Sequence, residues 1–357
     1  MTKTKEILNA ELAKLSDDEI AKILAETPEE TDISTNSLAR EIIYNEKDPC
    51  RWAEICRTAG KNLETTKERR IALAIEEVNG LRRIPGIINI YRINIILIYI
   101  DGKLWSLPEG KRKERLTELY FYNAGIVYSM IGDFKSAVIT HEKEASMATS
   151  FGRLNAIYMA SMCTFNQSII DGKAIESSYE EFRKSCGAFI KILDKNNSTQ
   201  ARWIANIECN LRRADILVTA ALDPLVKRYV TLRETSDKVF AKLPEEVQKI
   251  FPEYVKLLKA WEEIISAHIW TFGEDCQKKS STMEKLQHAE DLACDVAGNE
   301  KNPVDWRCDA LVITALAQLQ HNKINKTKTT LKKLINLKGY GGYAPKAIAE
   351  RLLKSLE

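Results

Sequence analysis

The chain has 357 residues, 45% of them hydrophobic and 29% charged, with a net charge of +3. That is the composition of a soluble globular protein. Only 15 glycines and 9 prolines interrupt it, which favours long helices over many short strands, and the eight cysteines contain no C-x-x-C pair, so free thiols are expected rather than a disulfide frame or a zinc site.

The opening stretch MTKTKEILNAELAKL lacks the apolar core and small-residue cleavage site of a signal peptide, so a cytoplasmic protein is expected. Helical patterns predict spans at 4–14, 17–26, 35–46 and 49–60. Residues 1–60 hold 8 Lys and Arg against 13 Asp and Glu, and are expected to form an acidic N-terminal helical cap or docking bundle. Asp48-Pro49 reads as a helix start, a capping carboxylate before a proline at the first helical position.

Helices are predicted next at 64–80 and 86–100. The run IINIYRINIILIYI at 87–100 is too short to span a bilayer and carries Asn89, Arg92 and Asn94. Around Asp101-Gly102, residues 93–107 also carry the signal of a β-hairpin. Ile87, Tyr91, Ile95 and Tyr99 fall on one helix face, and a buried helix ending near Asp101 is the preferred reading.

Further spans are expected at 111–131, 134–150, 153–171, 174–194, 198–221, 224–241, 245–272, 277–297, 303–321, 324–337 and 343–356. Apolar stripes support them: Ile175, Tyr179, Phe182, Cys186, Phe189, Ile190 and Leu193; Trp203, Ile207, Leu211, Ala214 and Val218; Tyr254, Leu257, Leu258, Trp261, Ile264, Ile265 and His268. Asp223-Pro224 reads as a second capped start, and Gly132, Gly172 and Gly273 as helix ends. The glycine-rich GYGGYAP at 339–345 lacks the Lys-Ser/Thr of a phosphate loop and reads as a turn between the last two helices.

One segment has a stronger signature. ELYFYNAGIVYSMIGDFKSAVITHEKEASMAT, residues 118–149, places Phe121 and Tyr128 at large-residue sites, Ala124-Gly125 and Ala137 at small ones, and Gly132-Asp133 at a turn. It resembles a tetratricopeptide repeat, with His141, Glu144 and Thr149 departing from that pattern. The resemblance implies an all-α solenoid of antiparallel helix hairpins over 64–357. Residues 311–337 share the helix-turn-helix rhythm without the signature residues, and the helices of 153–171, 174–194 and 198–221 are longer than such a repeat allows. It also implies a concave groove lined by Leu119, Tyr122, Ile126, Ser129 and Met130. Chaperone-tail clamps of this family carry Lys and Asn at such sites, which this chain lacks, so an apolar or helical peptide is the expected occupant.

No H-E-x-x-H, G-x-S-x-G, P-loop or G-x-G-x-x-G occurs. His268 reads as a core histidine, and Cys163 and Cys186 as inert thiols on apolar faces. No catalytic residue, cofactor or metal is expected. The expected function is that of a non-catalytic scaffold or adaptor binding another protein or a peptide, with no membrane partner. Two alternatives stand beside it. An N-terminal bundle followed by repeats resembles the layout of bacterial Rap-type, peptide-controlled regulators. The basic clusters at 67–115 and 323–354 would suit a nucleic-acid-associated protein; residues 322–357 alone hold 9 Lys and Arg against 2 Glu.

Overall fold

A computed structural model describes residues 16–26, 48–62, 65–82, 87–224, 251–270 and 276–357. Among them every regular element is an α-helix and no strand occurs. In chain order these are α1 (Asp17–Glu26), α2 (Pro49–Gly60), α3 (Lys67–Leu81), α4 (Ile87–Leu104), α5 (Lys111–Met130), α6 (Phe134–Met147) and α7 (Ser150–Asp171). They continue with α8 (Ile175–Ile190), α9 (Ser198–Leu222), α10 (Pro252–Trp270), α11 (Cys276–Gly298), α12 (Val304–Gln320), α13 (Ile324–Ile335) and α14 (Tyr343–Leu356). The helices predicted at 4–14, 35–46 and 224–241, the first residues of the span 245–272, and Gly273 lie outside the described residues.

The chain divides into two compact units, one of Met1–Met130 with Ile139–Ala156 and one of Ile131–Val138 with Ile157–Glu357. The expected boundary at residues 60–64 does not separate them. The helices on its two sides, α2 and α3, pack directly on one another.

In the first unit, α1 packs on α2, α2 on α3, and α3 on both α4 and α5. The Asp48 carboxylate accepts the Arg51 N–H at 3.0 Å with Pro49 in the first turn, so α2 starts where the cap signal put it. One apolar cluster joins Ile20 and Ala21 of α1 to Trp52, Ile55 and Cys56 of α2 and Leu73 of α3. Full burial of each large side chain there contributes about 1.5–3 kcal/mol. The Trp52 indole N–H donates to the Glu76 carboxylate at 3.3 Å, so the ring is buried without stranding its donor. A larger cluster joins Ile71, Ile75 and Val78 of α3 to Ile93, Leu97, Ile100 and Leu104 of α4 and to Leu116, Ala124 and Val127 of α5.

The segment 93–107 is helical as far as Leu104, and the hairpin alternative does not form. The preferred reading had the wrong face inward, however. Ile93, Leu97, Ile100 and Leu104 are buried, whereas Tyr91, Ile95 and Tyr99 lie on the open side.

In the second unit, α10 to α14 pack in chain order, a solenoid-like succession, and α9 packs on α8, α12 and α14. The stripe of α8 is buried from Ile175 to Leu193 apart from Ile190, which is half-buried. Phe182 stacks on Tyr158 and Phe165 of α7 at 5.8 and 6.1 Å between ring centres. The stripe of α10 is buried from Tyr254 to Ile265. Along α9 the expected Ile207, Ala214 and Val218 are buried and Leu211 is half-buried, whereas Trp203 at the start of the stripe is exposed; Arg212, outside the stripe, is almost wholly buried. GYGGYAP forms the expected turn between α13 and α14. Gly342 has φ +66° and gives its N–H to the Asp305 carboxylate at 2.7 Å, and a Cβ on it would collide with the Cys308 sulfur at 2.2 Å.

Candidate interaction surface

The repeat-like hairpin is α5 and α6. Gly125 sits where the two helices approach so closely that a Cβ there would lie 2.5 Å from His141 Nε2. Ala124 and Ala137 are buried, and Gly132 takes φ +84° at the turn. Tyr128 packs on the large cluster. Phe121 is half-buried, with the Lys143 ammonium 5.8 Å from its ring centre.

The departures from the repeat pattern are linked to one another. His141 and Glu144, one turn apart on α6, are both buried, and His141 Nδ1 lies 2.8 Å from Glu144 Oε2. Burial raises the Glu144 carboxyl above the usual range, opposed by its hydrogen bond to His141, and the nearby Glu118 raises it further. Nε2 of His141 has no hydrogen-bond partner and faces the Gly125 backbone. The imidazole therefore fills the space that the missing Cβ leaves. The pair is closed off from solvent.

The five residues expected to line a groove share one side of α5 and are all half-buried. Tyr122 and Ile126, four apart, lie on one helix face. The Arg82 guanidinium stands 5.5 Å from the Tyr122 ring centre and fixes its orientation. Leu119 packs against the large cluster, so part of its surface serves the core. The Ser129 hydroxyl donates to the Ile126 carbonyl at 2.9 Å, within its own helix.

No known protein family, curated protein or solved structure matches this chain.

The most exposed apolar surface was not foreseen as one. On α4 and the turn that ends it, Tyr91, Ile95, Ile98 and Trp105 are 68%, 68%, 74% and 66% exposed, with Tyr99 at their edge. The signal was present in the sequence: isoleucine recurs on both sides of the helix, joined by tyrosine on one and leucine on the other, and only one side can face the core.

Other candidate chemistry is neutralised or closed. A cleft of about 540 Å³ in the first unit is lined by Asp17, Asp48, Arg51, Glu54, Asn89 and Arg92. Arg51 pairs with Asp17 at 2.8 Å, and Arg92 with Glu77 at 2.6 Å and Glu54 at 3.3 Å. The basic cluster at 67–115 is dispersed in the same way. Arg69 is buried, Arg70 donates to the Asn62 carbonyl, Lys113 pairs with Glu109 and Arg115 with Glu118; Arg83 lies outside the described residues. Cys163 and Cys186 are fully buried, and burial pushes the Cys163 thiol up to about 12. The surroundings of His268 lie outside the described residues. Among the described residues no group of three or more His, Cys, Asp or Glu side chains is placed to hold a metal ion. No described helix is long and apolar enough to cross a membrane.

Proposed function

We propose that this chain is a non-catalytic, tetratricopeptide-like helical scaffold that binds a protein or peptide through the open side of α5. The observation that carries this reading is the pair Tyr122 and Ile126. The core of the first unit takes Leu116, Ala124 and Val127 from α5 and leaves this pair half-open, with Arg82 holding the aromatic ring in place. A rigid aromatic beside an aliphatic residue suits the anchor of an amphipathic peptide. Leu119 and Met130 would extend the same surface.

The test selects peptides from a random display library on the immobilised full chain. Those peptides are then assayed on Tyr122→Ala with Ile126→Ser. Binding lost with the melting curve preserved supports the reading. A loss of stability above about 2 kcal/mol, the scale of a core truncation, sinks it. So does selection of peptides that bind the double variant as well as the parent.

A second reading has one observation in its favour. Lys326, Lys332, Lys333 and Lys338, on α13 and just beyond it, are exposed, and α13 contains no acid. Such a face would attract a polyanion such as nucleic acid.

A further inference from the structure

The exposed apolar stripe on α4 has a defined spacing. Tyr91, Ile95, Ile98 and Gly102 are separated by steps of four, three and four, and Trp105 follows three residues later. Alternating steps of three and four form the seam by which two helices interlock. Here the opposite side of α4 already carries the core residues Ile93, Leu97, Ile100 and Leu104. This second seam is therefore surplus to the fold of the unit.

We infer that α4 is the interface of a homodimer in which the α4 helices of two copies pack antiparallel across a two-fold axis. The spacing four, three, four reads the same in both directions. An antiparallel pair therefore sets Tyr91 against Gly102 of the second copy, and Ile95 against Ile98 of the second copy, each contact occurring twice. Size complements size along the seam. A Cβ on Gly102 would have nothing within 4 Å, so its surface is an open notch beneath which a tyrosine ring fits. A parallel pair would instead set two tyrosines against each other at one end and two glycines at the other, crowding one layer and emptying its counterpart. Antiparallel helix dipoles also attract.

The area and the electrostatics agree with a second copy as the occupant. With aromatic side chains covering roughly 150–250 Å² each, the exposed parts of Tyr91, Ile95, Ile98, Tyr99 and Trp105 come to on the order of 600 Å² per copy. Two copies would bury about 1,200 Å², where stable interfaces begin. A patch of this size stands at the upper end of what monomers leave open, and such patches are often functional. Two of the charges beside the seam are satisfied within the chain: Arg92 is held by Glu77 and Glu54, and Asp101 accepts the Trp105 indole N–H at 3.2 Å; Lys103 is exposed at the flank, where its long side chain can reach solvent. Trp105 is held further by the Lys113 ammonium, 5.7 Å from its ring centre. The anchor is thus pre-positioned, and closing the seam strands neither Arg92 nor Asp101.

Sedimentation velocity on the full chain tests the pairing. The parent is expected to be a dimer. Ile95→Lys and Ile98→Glu should each be monomeric, because each buries an unpaired charge twice. An equimolar mixture of the two should regain a one-to-one dimer. The ammonium introduced at position 95 of one copy then faces the carboxylate introduced at position 98 of the other, while the remaining layer keeps both isoleucines. Both positions are exposed, so helicity by circular dichroism should be unchanged. Should either charge unfold the chain, Ile95→Cys mixed with Ile98→Cys reads the same contact: mild oxidation should link the two variants to each other far more than either to itself. A parent that stays monomeric at every concentration overturns the proposal, meaning that another partner or another part of the chain covers the stripe. A dimer that survives both charged variants, or a mixture without recovery or cross-linking, overturns it equally.

Discussion

At the scale of single residues, the closest contact in the repeat-like hairpin is between an absent side chain and an imidazole. His141 is buried against Gly125 and tied to Glu144, so neither the glycine nor the histidine has room to move independently. Gly125→Leu should overpack this crossing and cost roughly 1–3 kcal/mol or more; an unchanged urea midpoint would show that α5 and α6 do not cross so closely. The sequence could identify the small residue but not its neighbour, because the repeat pattern expects an aromatic at 141 and an alanine at 144. A second residue-scale prediction concerns Asp215. It accepts the Tyr179 hydroxyl, and burial lifts it to about 6, opposed by that hydrogen bond and by Arg212 and Arg183. An unfolded aspartate titrates near 3.9, so between about 4 and 6 the folded chain holds the extra proton and stability falls as pH rises through that window. Asp215→Asn removes this ionisation and keeps an acceptor for Tyr179. The variant should therefore gain on the parent as pH is raised from about 4 to above 6, read from urea midpoints at both ends. A difference that stays constant with pH would mean that Asp215 ionises as readily as in the unfolded chain.

At the scale of helices, two glycines with the same appearance in sequence have opposite roles. Gly80 in α3 meets α2 so closely that a Cβ would lie 2.8 Å from the Pro49 carbonyl oxygen and 3.0 Å from the Ala53 Cβ. Gly187 in α8 is exposed, with nothing within 4 Å of the same position. Gly80→Ala should destabilise by about 1–3 kcal/mol through backbone displacement. Gly187→Ala should stabilise by about 0.5–1 kcal/mol, by removing chain entropy and leaving packing untouched. Calorimetry separates the two by sign, and changes of the same sign would show that the contact at Gly80 or the open space at Gly187 is misplaced. Nothing local distinguishes them, since the difference lies in which helix crosses above. Helix α4 shows the same limit. A helix with one apolar face declares its inward side, as α8 does. Isoleucine on both sides of α4, with tyrosine on one and leucine on the other, weakens that periodic signal, leaves a hairpin reading open, and conceals which face meets α3. The start of α2 was easier to read, because Asp48 and its Arg51 N–H partner are three residues apart.

At the scale of the whole molecule, helicity was legible because apolar residues repeat at helical intervals along most of the chain. The division into units was not. Residues 131–138 belong with the second unit and 139–156 with the first, so the chain crosses between them more than once, and composition carries no mark of that. Charge was half-legible. The acidic and basic runs are real, but the guanidinium groups of Arg69, Arg70, Arg92 and Arg115 are buried or engaged by nearby carboxylates and carbonyls, and a count cannot show this. Among the described residues, α13 presents exposed lysines with no acid in the same helix. The two functional readings therefore differ in their response to salt. A nucleic-acid complex resting on six to ten phosphate contacts loses about 10³–10⁵ in affinity between 50 and 200 mM salt. A peptide seated on Tyr122 and Ile126 depends on apolar burial and should change less than about tenfold over the same range, since screening hardly touches that term. We expect the shallow response for peptides selected on the full chain, and an unchanged affinity when Lys326, Lys332 and Lys333 are replaced by glutamine. A random-sequence oligonucleotide is the comparison probe. If it binds more tightly than any selected peptide, with a steep salt slope that the glutamine substitutions flatten, then α13 is the working surface and the peptide-binding reading fails.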